Sequence, residues 1–348
     1  MTPAQDNSTP LTGAARIGDV ARAAGVSTAT VSRTLTYPER VRAETRQKVL
    51  DAVRRLDYTP NEAARVLRAG ASRMILVQIP HRFGGAFFPG VLSGIDEQLA
   101  KHGYTMIMGS LDDSENKARR LIDLVFAGQL DGIILLTGHV PAIGGRSMLD
   151  AGIPIVSICA ELRDRQSPSV LLNDEDCAVL QTQHLLDLGH RRLMYVAGIP
   201  NNYNEVHRYR GFCKTLAKAG LDPIEAPRYE GDYTLASGAA AARAFLTLKP
   251  RPTGIVCCSD EMAIGFIKVI TDVGLSCPRD VSIVGFDGIE FADYCEPTLT
   301  TIWQPRAELG ASGARLLIDA LSGKPIAADT RIMHRGDLRV RASTSPIW

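Results

Sequence analysis

The 348-residue chain has no uninterrupted apolar stretch approaching about twenty residues. A helix that spans a bilayer needs such a stretch, so a membrane-spanning protein is not expected. Residues 1–13 are polar and lack the charged and then apolar pattern of a secretory signal. We therefore expect a disordered tail over residues 1–14, a cytoplasmic protein and no membrane partner.

The sequence also lacks the short motifs that carry common enzyme chemistry. It contains no G-x-x-x-x-G-K-[ST], no G-x-S-x-G, no H-E-x-x-H and no G-x-G-x-x-G. Its seven cysteines are odd in number and scattered, and no two form a C-x-x-C pair. We therefore expect reduced core cysteines, no metal site, no cofactor and no enzymatic activity.

Residues 19–35 have the pattern of two short helices joined by a turn. Gly25 can adopt the left-handed conformation that ends the first helix, and Ser27 can cap the second. Val31 and Leu35 are four residues apart and therefore face inward together. This leaves an outward face formed by Thr28, Ala29, Ser32 and Arg33.

Short polar side chains and one arginine suit contacts with base edges and phosphates in a DNA major groove. By spacing alone, the same stretch could also be an alanine-rich helical hairpin within a larger core. A third helix, predicted over residues 43–56, favours DNA binding, because three helices of this size form a minimal DNA-binding core. Its apolar positions at helical spacing are Val49, Leu50, Val53 and Leu56.

Charge is divided unevenly along the chain. The whole chain has 39 Lys and Arg against 38 Asp and Glu, a formal net charge of +1. Residues 1–73 carry 12 basic and 7 acidic residues, which gives +5 and leaves −4 on the remainder. A basic head on an acidic body is typical of a protein that contacts DNA with one end.

From Arg73 onward, apolar runs alternate with helical stretches, the pattern of βαβ units and a parallel sheet. One set of strands is predicted at residues 74–79, 104–108, 132–136 and 155–158, and a second at 193–197, 254–258 and 281–284. Two such sets indicate two doubly wound parallel-sheet subdomains.

Ligands of open α/β sheets bind beyond the carboxyl ends of the strands. The side chains expected there are Phe87, Phe88, Glu161, Asn173, Asp174, Asn202, Asn204 and Asp287. Carboxylates and amides bond hydroxyl groups, while aromatic faces stack on the CH groups of a sugar ring. The aromatic residues could instead belong to the core, and Asn173 and Asp287 could cap the helices that follow them. Asp260 and Glu261 are expected to cap the helix after Cys258.

Short sequences along the chain resemble the LacI/GalR family of transcriptional regulators, from about Arg16 to near the C-terminus. They are residues 19–21, 25–27, 30–33, 45–46, 58–61 and 64–67. Within the family, residues 27–33 and 299–306 are similar to the cytidine-type nucleoside regulators. Arg16 and Gly18 depart from the family, which has a Thr cap and a basic residue at the first helix, so a weaker cap is expected there.

The resemblance implies a DNA-binding set of residues in the second helix and in a hinge helix after Pro60. In the family, two hinge helices of a dimer lie in the minor groove, and each inserts a leucine that kinks the DNA. That leucine is here Leu67. The implied DNA-binding residues are Thr28, Ala29, Ser32 and Arg33, with Asn61, Ala64 and Leu67 in the hinge helix.

The resemblance also implies an effector site between the two subdomains. The family's effector-contacting positions fall on Phe87, Phe88, Asn173, Arg208, Tyr233 and Asp287, of which Arg208 and Asp287 are the strongest candidates. Where the family often has Asp and then Asn, this chain has Asn173 and then Asp174, which leaves the contacting group there open.

The fold implied by the resemblance is an all-α helix-turn-helix head with a hinge helix, followed by an α/β core like that of periplasmic sugar-binding proteins. The expected boundaries are residues 15–60 for the DNA-binding domain, 61–72 for the hinge and 73–348 for the effector-binding and dimerisation core. Within the core we expect an N-subdomain of about 73–172 and 303–331, and a C-subdomain of about 173–302 and 332–348.

The expected function is that of a ligand-responsive repressor of a catabolic or transport operon. As a homodimer or tetramer it would bind a pseudo-palindromic operator, and a sugar, polyol or nucleoside in the cleft would alter its affinity for DNA. The alternative is a solute-binding protein, which the core would allow but the basic helical head and the missing signal sequence disfavour.

Overall fold

The computed structural model describes residues 15–58, 72–80, 85–110, 115–138, 140, 142–162 and 166–347. The chain divides into two compact units, Met1–Ser72 and Arg73–Trp348, here called the head and the core unit. The expected tail over residues 1–14 lies outside the described residues. So do residues 59–71, which include the hinge positions Asn61, Ala64 and Leu67. None of the helices within the described ranges is long and apolar enough to cross a membrane.

The head contains the three expected helices. They are α1 (Ile17–Ala24), α2 (Thr28–Thr36) and α3 (Ala43–Arg55). Val20, Val31 and Val49 are fully buried at their junction, and Tyr58 closes the cluster. Leu50, which the helical spacing assigned to the same face as Val49, is instead exposed.

Local hydrogen bonds explain where the first two helices begin and end. Gly25 has φ +67°, and its left-handed conformation ends α1. Ser27 caps α2, since its hydroxyl accepts the amide of Thr30 at 3.2 Å. The Arg16 side chain provides no cap for α1, but the Asp19 carboxylate accepts the Arg16 amide at 2.9 Å and supplies one half of a capping box.

The core unit contains two six-stranded sheets, each with its own lobe. All pairings in the first sheet are parallel, in the order β11-β5-β4-β3-β1-β2. Its strands are β1 (Met74–Ile79), β2 (Thr105–Ser110), β3 (Gly132–Leu135), β4 (Ile155–Ile158), β5 (Ser169–Leu172) and β11 (Arg331–His334).

The second sheet has the order β12-β10-β9-β8-β6-β7, and only the β10–β12 pairing is antiparallel. Its strands are β6 (Leu193–Ala197), β7 (Arg228–Glu230), β8 (Gly254–Cys257), β9 (Ser282–Asp287), β10 (Thr300–Trp303) and β12 (Asp337–Arg339). An all-α head followed by two doubly wound, largely parallel sheets confirms the expected fold class.

Helices flank both sheets. The first lobe has α4 (Phe88–Lys101), α5 (Glu115–Phe126) and α10 (Arg306–Leu321); the second has α6 (Asp174–Asp187), α7 (Tyr203–Lys218), α8 (Leu235–Thr247) and α9 (Asp260–Asp272). The described chain passes between the sheets after Leu172, after Trp303 and after His334. The last crossing was expected near Arg331, but residues 331–334 pair with β5 as an edge strand of the first sheet.

Two glycines allow α4 and α10 to pack backbone against backbone. A Cβ atom on Gly94 would lie 1.9 Å from the carbonyl oxygen of Ala307, and one on Gly310 would lie 2.0 Å from that of Val91. The obstructing atoms are backbone atoms, which cannot move aside as a side chain can. This contact fixes α10 on the first lobe. The N-terminus of α10, just before the contact, touches the second lobe.

Replacing Gly94 by alanine is therefore expected to destabilise the protein by about 1–3 kcal/mol, the usual cost of overpacking a tight contact. The lower stability should appear as a decreased urea midpoint. Ser93→Ala is the control, because Ser93 is the exposed neighbour on the same helix. Equal midpoints for Gly94→Ala and Ser93→Ala would contradict the close helix contact.

Candidate functional site

The predicted DNA-reading face lies on the surface of α2. Thr28, Ala29 and Arg33 are exposed and Ser32 is half-buried, while Val31 is fully buried beneath them. The polar and apolar side chains of α2 therefore lie on opposite faces, as its sequence pattern predicts, with the apolar positions in the core of the head. An exposed arginine beside short side chains leaves room for the backbone of α2 to approach a groove.

In the core unit, Arg208 forms the centre of a buried polar network at the carboxyl ends of β8 and β9. Its Nε donates to an Asp174 carboxylate oxygen at 2.7 Å, and one terminal nitrogen donates to the Cys258 carbonyl at 2.6 Å. The same nitrogen lies 3.7 Å from Asp287 Oδ1. The guanidinium also stacks on the Phe286 ring, 3.6 Å from its centroid.

Asp287 ends β9 and is only 8% exposed. Its φ of +120° is rare for any residue with a side chain, and such strain occurs mainly at functional sites. Gln304 holds the residue in place, since its side-chain amide donates to the carboxylate at 2.7 Å and its backbone amide donates to the Asp287 carbonyl. The carboxylate is thereby directed toward Arg208.

Burial works against the charge on Arg208, but the attraction of Asp174 and Asp287 outweighs it and raises the pKa of the guanidinium further. Burial also raises the pKa of Asp287, which the positive charge of Arg208 only partly offsets. The network thus combines a fixed cation with carboxylate acceptors. A ligand with adjacent hydroxyl groups could bond to both.

Asn173 and Asp174 have different roles. Asn173 caps α6, since its side-chain oxygen accepts the Asp176 amide at 3.3 Å. Asp174 is 2% exposed and forms the ion pair with Arg208. The sequence did not decide which of Asn173 and Asp174 contacts the site, and in the structure Asp174 is the residue that joins the network.

The three aromatic candidates come from both lobes. Phe87 and Phe88 form an edge-to-face pair at 5.2 Å at the start of α4, and both pack on the first-lobe core. Tyr233 lies in the second lobe, and its hydroxyl donates to Asn202 at 3.2 Å. A Cβ on Gly198 would lie 2.1 Å from Cζ of Tyr233, so this ring rests directly on the Gly198 backbone.

Hydrogen bonds join the two lobes across the cleft. Asn204 in α7 donates to the Cys159 carbonyl after β4 at 2.9 Å, and to Asp174 at 3.1 Å. The Ala86 amide before α4 donates to the Glu261 carboxylate in α9 at 2.6 Å. The Asn204–Cys159 and Ala86–Glu261 bonds link opposite lobes, so any change in lobe separation must alter them.

The capping roles expected for Asp260 and Glu261 are wrong. Ser259 caps α9 by accepting the Met262 amide at 3.2 Å. Asp260 instead accepts the Ile289 amide and the Thr301 hydroxyl, and Glu261 forms the bond to Ala86. Both acidic side chains therefore hold loops beside the cleft rather than the helix end.

Other cleft residues were only partly predictable. Glu161 forms an ion pair with Arg331 within the first lobe, and Asn202 caps α7. Gln304 and Arg306 were absent from the predicted site. Arg306 bonds the carbonyls of Ala86 and Gly288, at 3.1 and 3.0 Å, and so touches loops from both lobes.

The two cysteines beside the buried cation are not activated as nucleophiles. Burial raises the pKa of the Cys159 and Cys258 thiols, which disfavours the nucleophilic thiolate form. Across the part of the chain that the structure describes, no group of three or more His, Cys, Asp and Glu side chains could hold a metal ion.

Two family models match the chain. Residues 16–61 match the lacI family of bacterial regulatory proteins, and residues 182–344 match a periplasmic binding protein-like domain. The HTH-type transcriptional repressor CytR of Escherichia coli K12 is 35% identical over 341 residues, covering 95% of this chain and 96% of the relative. Catabolite control protein A of Priestia megaterium is 32% identical, covering 93% and 98%.

Two solved structures are similar over most of the chain. The lac repressor dimer bound to operator and the anti-inducer ONPF has a TM-score of 0.82 and 27% identity, covering 96% of this chain and 100% of that one. The complex of the transcriptional regulator CelR with cellobiose has a TM-score of 0.73 and 28% identity, covering 94% and 99%. From its N-terminal match and its relatives above 30% identity, the chain belongs to the lacI family of bacterial regulatory proteins and is a DNA-binding transcriptional regulator, not an enzyme.

Proposed function

We propose that this chain is a cytoplasmic repressor that binds a pseudo-palindromic operator as a homodimer and responds to a neutral, hydroxyl-rich small molecule in the cleft of its core unit. The observation that carries the proposal is the buried Arg208, held between Asp174 and Asp287 at the carboxyl ends of the strands. Arg208 is already paired with Asp174 and faces Asp287, so its positive charge is not left open to an anionic ligand. Sugars, polyols and nucleosides fit better.

In this proposal the site residues are Arg208 and Asp287, with Asp174 and Tyr233 beside them. Phe87 and Phe88 supply apolar surface from the opposite lobe, and Asn173 acts by capping α6. A ligand that bonds to both lobes favours one arrangement of them, which shifts the population of DNA-binding states.

For the head, we propose that Thr28, Ala29 and Arg33 read bases in the major groove and that Ser32 lies close to the DNA backbone. Support comes from the exposure of the first three side chains on α2. Asn61, Ala64 and Leu67 are proposed as minor-groove contacts from the resemblance to the family alone.

A thermal-shift screen tests the ligand proposal most directly. The purified protein would be melted with ribose, cellobiose, xylitol, cytidine or adenosine, since a ligand of the folded state raises the midpoint by mass action. Glucose 6-phosphate serves as an anionic control. We expect at least one neutral compound to raise the midpoint, and stabilisation by the phosphate alone would contradict the proposed ligand class.

The solute-binding alternative makes a different prediction. A solute-binding function would leave the polar outward face of α2 without a role. Such a protein would bind a neutral compound without any change in its affinity for DNA. An operator titration in the presence of the stabilising compound separates the two functions.

A further inference from the structure

Glu205 is a buried carboxylate that neither the predicted site nor the Arg208 network includes. It lies in the first turn of α7 and is 1% exposed. One carboxylate oxygen accepts the Gly198 amide at 2.8 Å and the Cys258 thiol at 2.9 Å, with the Tyr195 hydroxyl at 3.4 Å. The other oxygen accepts from Arg228 at 3.2 Å.

All four groups can donate to an ionised carboxylate, which can only accept. Arg228 reaches Glu205 from the edge strand β7, where it also pairs with Glu230 at 3.1 Å and stacks on the Tyr209 ring at 4.2 Å. Burial raises the pKa of Glu205, and the thiol of Cys258, the Gly198 amide and the charges of Arg228 and Arg208 oppose that rise.

Two of these donors belong to residues that support the effector site. Gly198 lies under the ring of Tyr233, with no room for even a methyl group between them. Cys258 bears the carbonyl that accepts the Arg208 guanidinium. One carboxylate therefore anchors the supports of both the aromatic wall and the buried cation.

We propose that Glu205 is a positioning residue for the cleft: its ionised carboxylate, neutralised from the edge strand by Arg228, fixes the Gly198 and Cys258 segments and thereby the orientations of Tyr233 and Arg208. The inference rests on the proposed function, because it assigns Tyr233 and Arg208 to the ligand site. Glu205 itself does not touch the ligand.

Glu205→Gln is the principal variant, since it keeps the shape but presents an amide donor to groups that are themselves donors. Glu230→Gln is the matched control, because it removes the other carboxylate partner of Arg228 at a half-exposed position. Hydrogen–deuterium exchange of a peptide spanning residues 196–204, measured without any ligand, should be about tenfold faster in Glu205→Gln. The control should exchange like the wild type.

The second measurement uses whichever of ribose, cellobiose, xylitol, cytidine or adenosine stabilises the wild type. At pH 8 its dissociation constant should rise about tenfold in Glu205→Gln and stay unchanged in Glu230→Gln. As the pH falls below the raised pKa of Glu205, the wild-type carboxylate gains a proton and comes to resemble glutamine. The affinities of wild type and Glu205→Gln should therefore converge in acid.

A third variant, Arg228→Met, removes the neutralising charge from a partly exposed position and covers the case in which Glu205→Gln does not fold. Loss of the cation raises the pKa of Glu205 further, so the acid loss of affinity should move to higher pH. Each of three results would overturn the proposal. The exchange rate of Glu205→Gln could equal that of the wild type, the ratio of their dissociation constants could stay constant with pH, or the pH dependence of affinity in Arg228→Met could match that of the wild type. If none of the five compounds binds, the proposed function fails, and the exchange experiment still decides the role of Glu205.

Discussion

Replacing Arg208 by alanine is expected to lower the free energy of unfolding by about 3–5 kcal/mol, the range for breaking a buried ion pair from one side. The side chains of Arg208 and Asp174 are 6% and 1% exposed, so solvent cannot take over the role of the lost partner. The substitution also leaves the Cys258 carbonyl without its donor and the buried Asp174 carboxylate without its cation. It should abolish binding of the stabilising compound as well.

Arg210→Ala provides the control for this experiment. Arg210 is two residues away on the same helix, its side chain is 58% exposed, and it faces Glu175 at 3.7 Å. Surface pairs of this kind contribute little, so its urea midpoint should match the wild type. If Arg208→Ala lowered the free energy of unfolding no more than Arg210→Ala does, the buried network would not stabilise the second lobe.

Replacing Arg33 by alanine is expected to weaken binding to a DNA duplex selected by the wild-type protein by well over tenfold. An arginine in the major groove can donate two hydrogen bonds to one guanine, and such a contact contributes about 1–3 kcal/mol of base discrimination. Since Arg33 is exposed on α2 and outside the buried cluster of the head, the folded head should be unaffected. Fluorescence anisotropy titration measures the affinity.

Arg54→Ala is the matched control, because it removes the same charge from α3, where Arg54 pairs with Asp51. Loss of charge alone weakens binding to all sequences similarly, whereas loss of a base contact also reduces the preference for the selected duplex over a scrambled one. Equal effects of the two substitutions on that preference would remove Arg33 from the recognition surface.

The central strands of both sheets are predictable from sequence because strands covered on both faces have continuous apolar runs. β1 and β6 illustrate this. The edge strands are different, since β7 and β11 are half-exposed and contain charged residues. Their structure depends on pairing with a neighbour distant in sequence, which no local pattern indicates, and neither strand was predicted.

The candidate site shows a similar division. Arg208 is suggested from sequence by the resemblance to the family, and Asp287 also by its place at the carboxyl end of a buried strand. Which of Asn173 and Asp174 turns inward depends on where α6 begins, and the asparagine takes the cap. Glu205 could not be found, because an acidic residue in the first turn of a helix usually stabilises it from the surface. Its burial depends on Arg228, 23 residues away.

The central claim is that a molecule in the cleft controls the affinity of the head for DNA. The most direct test is an operator titration of wild type and Asp287→Ala, with and without the compound that stabilises the wild type. The variant keeps the Arg208–Asp174 pair, so it should bind operator with wild-type affinity. We expect the compound to change operator affinity at least tenfold for the wild type and not at all for Asp287→Ala; an equal response in both proteins would contradict the account.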